Sequence, residues 1–99
     1  MPLPRDVQPY RRTDVFTEAT VPKGLLKAHT TKAGVWGLIH VLEGRLAYRI
    51  LDPRRPPSET ELTPSTEPGV VEPTILHEVE PRGAVRFFVE FHRGASEDA

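Results

Sequence analysis

Two histidines, His29 and His77, and two glutamates, Glu72 and Glu90, are the residues of this chain best suited to chemistry. One histidine falls in each half of the sequence with a carboxylate available, and together they are the minimum set of N and O ligands for a divalent metal. His77 lies in TILHEVE, where Ile75, His77 and Val79 alternate with Leu76, Glu78 and Glu80, so it shares the inward face of a strand. His29, in KAHTTKAG, falls at a loop or strand end. Glu90 alternates with Phe87, Val89 and Phe91, and Phe88 beside it argues that its own face is partly covered, which makes a carboxylate there costly unless it is paired. Lys32, Trp36, Tyr48 and Glu72 are candidates to line a pocket next to the histidines, with Lys32 able to offset an anion's charge. His40 and His92 read as structural or surface residues.

The elements that must hold these groups are strands. Apolar residues come in short bursts separated by Gly, Pro, Asp and Ser, the pattern of an all-β sandwich or barrel, and no segment reads as a helix. The run VWGLIHVLEGRLAYRIL predicts a β-hairpin with Glu43 and Gly44 as its turn, pairing Val41 with Leu46 and Ile39 with Tyr48; the alternative register makes Gly44 a bulge residue. Residues 1–12, with three prolines and three arginines, form an extended arm or edge strand. Residues 13–93 make one domain, and 94–99 are a short acidic tail. The segment 52–69 is a proline-rich connector with at most one short strand around Glu59 to Thr63.

Composition sets limits. Ninety-nine residues have room for a single core. Thirteen basic against 14 acidic residues give a net charge of -1, which supplies no field for nucleic acid or an anionic membrane. With no cysteine there is neither a disulfide framework nor a thiolate ligand, and a cytoplasmic location is expected. No apolar run is long enough for a signal sequence or a membrane span. Phosphate loops, nucleophile elbows and HExxH pairs are absent.

The segments HTTKAGVWGLIHVLEGRLAYRI and PGVVEPTILHEVEPRGAVRFFVEF resemble the small cupins of the tellurite-resistance TehB-like and YeaR-like group, over about residues 10 to 92. The resemblance implies a double-stranded β-helix, or cupin jelly roll, wrapped around a small pocket. Cupins in general hold a divalent metal through two histidines and a glutamate in one motif and a histidine in a second. His29 stands near the leading histidine and His77 matches the last, whereas Thr31 and Gly37 occupy the other two places.

The expectation is therefore a single-domain cupin holding zinc or iron at His29 and His77. Glu90 is the third ligand, with Glu72 or water as the alternatives, and the site takes an oxyanion or small organic acid in a tellurite or oxyanion stress response. No general base is fixed, so catalysis stays open. A metal-free ligand-binding or sensing module, and a homodimeric interaction domain, are the alternatives. The longer TehB-like proteins carry a methyltransferase domain, which 99 residues cannot supply.

Overall fold

In the computed structural model, residues 3–94 are described. They form six strands: β1 (Val7–Arg12), β2 (Phe16–Thr17), β3 (Trp36–Ile50), β4 (Ser58–Leu62), β5 (Gly69–Val71) and β6 (His77–Gly94). One 3-10 turn spans Lys23–Leu26. All strand pairings are antiparallel and belong to one sheet, in the order β1-β6-β3-β4, with β2 added to β6 and β5 added to β3. The architecture is thus an all-β antiparallel sheet in a single small domain.

Of the arm expected at residues 1–12, residues 7–12 form β1 at the end of the strand order and residues 1–2 lie outside the described residues; the connector's short strand is β4. Of the acidic tail, Gly94 closes β6, and 95–99 lie outside the described residues. The expected hairpin does not form. Residues 36–50 run as one strand, and the partner of both its halves is β6. The pairing slips between Val41 and Glu43 and again between Gly44 and Leu46. Ahead of the slips Gly37, Ile39 and Val41 are buried; beyond them Leu46 and Tyr48 are. The inward positions change from odd to even, so both halves of β3 face one core without a reversal of the chain.

Gly44 permits this. Its φ is +80°, and a Cβ there would lie 2.0 Å from the carbonyl oxygen of Ala84 on β6. Sequence periodicity sees a glycine between two apolar runs and infers a turn; the backbone of β6, far away in sequence, is what requires the missing side chain.

The core collects on one face of the sheet. Phe87, Ile39, Leu46 and Val85 are fully enclosed, and Val79, Val71, Tyr48 and Leu62 complete the cluster. Burying such a side chain contributes on the order of 1.5 to 3 kcal/mol. On the opposite face Arg49 joins three strands, bonding Glu59 of β4 at 2.6 Å, Glu78 of β6 at 2.8 Å, and Glu80 of β6. These three carboxylates hold the Arg49 guanidinium above its ordinary pKa.

Gly44→Ala should therefore lower stability by about 2 to 4 kcal/mol, read from the urea midpoint at unchanged m value. A midpoint equal to the parent's would contradict the close approach of β3 to Ala84.

Candidate functional site: a cavity with two histidine acceptors

A cavity of about 460 Å³ opens inside the bend of the sheet. Its walls include Phe16, Leu25, Ile39, Val71, Phe87 and Val89, and His29 and His77 stand in the same lining. Of the charged residues in the lining, Arg11 and Lys32 are exposed at its edge; no Asp or Glu contributes to it.

Backbone pairing sets the two histidines side by side. His29 N–H donates to His77 O at 2.9 Å and His77 N–H to His29 O at 3.0 Å, a single antiparallel bridge. The ring centroids are 4.1 Å apart. Around this bridge the loop is tied down: Thr74 N–H bonds Thr31 O at 3.2 Å, Thr31 Oγ1 donates to Val35 O at 2.7 Å, and Val35 N–H closes on Lys32 O at 3.0 Å. Asp52, 3% exposed, fixes the other side by accepting from the Arg54 side chain and from the Leu76 N–H next to His77. Those bonds hold its carboxyl well below the usual carboxylate range, so it is a permanent anion with a structural task.

Each histidine also bonds a carbonyl through Nδ1: His77 to Ile75 O at 2.9 Å and His29 to Lys27 O at 2.9 Å. A carbonyl oxygen only accepts, so both Nδ1 atoms carry a proton, and in a neutral ring so held Nε2 is the acceptor. Among the described residues no protein group bonds either Nε2. Burial, helped by repulsion from His29, lowers the His77 pKa to about 4, and it stays neutral throughout the physiological range.

The other predicted site residues lie elsewhere. Tyr48 backs the His77 ring edge-on at 5.8 Å, and its hydroxyl donates to Val70 O at 2.8 Å. Burial and the nearby Glu72 carboxylate push the Tyr48 hydroxyl up to about 12, so it acts as a fixed donor. Glu72 is bound by Arg55 and is not part of the cavity lining. Trp36 pairs with His92 on the opposite face of the sheet.

Glu90 is also on that opposite face, where it accepts from His92 Nε2 at 2.8 Å and lies 3.7 Å from His40 Nε2. His77, Val79, Val85, Phe87 and Val89 all point inward, and Glu90 falls out of phase with them. It cannot join His29 and His77 at one ion. Among the described residues no three His, Cys, Asp or Glu side chains are grouped so as to hold a metal. The residues present do not fit the expected zinc or iron centre.

Sequence reasoning missed the part played by the N-terminal arm. Thr13 takes the β6 backbone at both ends, its N–H to Val89 O at 2.9 Å and its Oγ1 accepting from Val89 N–H at 3.1 Å, and this carries Tyr10, Arg11 and Phe16 to the cavity. The only signal in the sequence is that the apolar pairs Val15-Phe16 and Leu25-Leu26 stand in polar surroundings.

A family model described as the TehB-like domain matches residues 11–89. The chain belongs to the TehB-like domain family. Over 72 residues it is 33% identical to the probable S-adenosyl-L-methionine-dependent methyltransferase TehB of Haemophilus influenzae strain Rd, a match that covers 72% of this chain and 25% of that protein. The TehB of strain 10810 matches at 32% over the same length. This TehB-like chain thus spans about a quarter of the curated relatives it matches. The crystal structure of TehB from Haemophilus influenzae superposes with a TM-score of 0.82 at 27% identity, covering 91% of this chain and 32% of that one. A protein from Escherichia coli K12 gives the same TM-score at 20% identity over 95% and 97% of the two chains, a likeness of fold alone.

These relatives correct the expected function. They are named as methyltransferases that use S-adenosylmethionine, and the family is a TehB-like domain; a metal-holding cupin for oxyanions is overturned by them and by the separation of Glu90 from the histidine pair.

A neutral, buried His77 makes stability depend on pH. Its folded pKa of about 4 lies below the ordinary 6.5, so the unfolded chain takes the proton first. The contribution is full above about pH 6.5 and is lost as pH falls toward 4, amounting to up to about 3 kcal/mol. Urea titrations from pH 7 to 4 should show the parent losing more stability than His77→Phe; parallel curves would contradict the buried neutral ring.

Proposed function

We propose that this chain is the ligand-holding accessory domain of TehB-type methyl transfer. Its cavity holds the molecule that receives the methyl group, and S-adenosylmethionine is bound by a separate methyltransferase domain. The observation that carries this reading is the cavity's lining: apolar walls, two histidines engaged through Nδ1, two cations at the edge and no carboxylate. S-adenosylmethionine carries a sulfonium and an ammonium, and both would be desolvated here beside Lys32 and Arg11 with no carboxylate among the lining residues to offset them. A cavity of this volume is of the size that small-molecule sites use. The described residues contain no α-helix to offer its N-terminus to a nucleoside.

The same reading takes the sheet as a cupin-type double-stranded β-helix with YeaR-like kinship. It is supported by two long strands that pair along most of their length and bend through bulges around one cavity. Among the described residues no helix is long and apolar enough to cross a membrane, and the chain has no cysteine, which supports a cytoplasmic setting.

A chimera tests the role. With this chain in place of the corresponding quarter of Haemophilus influenzae TehB, Val35→Trp, which fills the cavity from its wall, should raise the acceptor KM at least about fivefold and leave the KM for S-adenosylmethionine unchanged. Saturable binding of S-adenosylmethionine by the isolated chain, or a change confined to its KM, would overturn the assignment.

A further inference from the structure

The two histidines specify more than a generic apolar ligand. His77 is 4% exposed, lines the cavity, and has its Nδ1 engaged by Ile75 O. The His29 ring, 4.1 Å away, is held in the same tautomer by Lys27 O. Two lone pairs are therefore presented side by side in an apolar wall. No described residue donates to either, and neither is sealed off from the open space of the cavity, so a ligand's donor can take the place of water at each.

We propose that the occupant is an uncharged or anionic apolar molecule bearing a phenol-, enol- or thiol-type O–H or S–H group, held at His29 and His77 Nε2. The inference rests on reading the cavity as the acceptor site and names the class of molecule it takes. Three features select that class. The neutral His77 imidazole accepts a hydrogen bond through Nε2, and a group with an acidic O–H or S–H makes the strongest such bond. Phe16, Leu25 and Phe87 cover the body of the ligand with carbon. Lys32, whose backbone is tied down by the bonds around Thr31 and Val35, stands at the edge with Arg11 and disfavours cations. The same atom that donates to the histidines is the kind of heteroatom that accepts a methyl group, so the cavity and the assigned role agree in their chemistry.

The probes are 2-naphthol, 2-methoxynaphthalene and 2-naphthylmethylammonium, titrated by fluorescence against the full chain, its Val35→Trp variant, and the single variants His29→Phe and His77→Phe. 2-Naphthol should bind at least about tenfold more tightly than the ether or the ammonium, a ratio expected when a site built for a donor meets an analogue without one. Both histidine variants should bring the naphthol-to-ether ratio close to one, and using two of them keeps the test valid if either folds poorly. Equal binding of naphthol and ether, lost in Val35→Trp, would overturn donor recognition and leave the ligand-holding role standing. Tighter binding of the ammonium would overturn the charge selection. Absence of any binding sensitive to Val35→Trp would overturn both this inference and the acceptor-site reading beneath it.

Discussion

The alternation of side chains along the β3–β6 ladder is the constraint on which the rest of the molecule depends. Because successive residues face opposite sides, every group on β6 is committed by its position to the cavity or to the outer face. His77, Val79, Phe87 and Val89 go inward; Glu78, Phe88, Glu90 and His92 go outward. The ladder would assign β3 in the same strict way, except that bulges near Gly44 shift its phase, which lets Ile39 and Leu46 share a core although one is odd and the other even. A site that mixes inward and outward residues of one strand is excluded by that geometry.

Two backbone carbonyls then decide what the site can do. By accepting from Nδ1 of His29 and His77, Lys27 and Ile75 choose the tautomer of each ring and leave both Nε2 atoms as acceptors. Burial keeps His77 neutral, with a pKa near 4, so it is a poor general base at neutral pH and a stable hydrogen-bond acceptor. The surrounding bonds from Thr31, Asp52 and Thr74 immobilise the segments that carry the two rings, which is what a preformed recognition site requires.

Much of the framework was legible in the residues themselves. Short apolar runs between Gly and Pro gave strands, β4 emerged where the connector's short strand was expected, and His29, His77 and Lys32 are brought to one cavity. The placement of Glu90 was legible as well: alternation from Val85 to Phe91 puts it on the face away from Val89, and the same phase carries back to His77. Treating it as a partner of His77 set the count of available N and O ligands above that alternation. What could not be read is long-range. The glycine between Val41 and Leu46 answers to the carbonyl of Ala84, and Tyr10, Arg11 and Phe16 reach the cavity only because Thr13 docks on Val89. Neither contact leaves a periodic trace in the sequence.

The central claim is that His29 and His77 are both bonded through Nδ1–H and that the buried His77 is a neutral ring with an open Nε2 acceptor, and long-range 15N–1H correlation of the histidine rings tests it directly. At pH 7 the account predicts a protonated Nδ1 on both rings and an unprotonated Nε2 on His77, with the Nε2 signals moving when 2-naphthol is added. A bare Nδ1 on either ring, or a charged His77 at that pH, would contradict it.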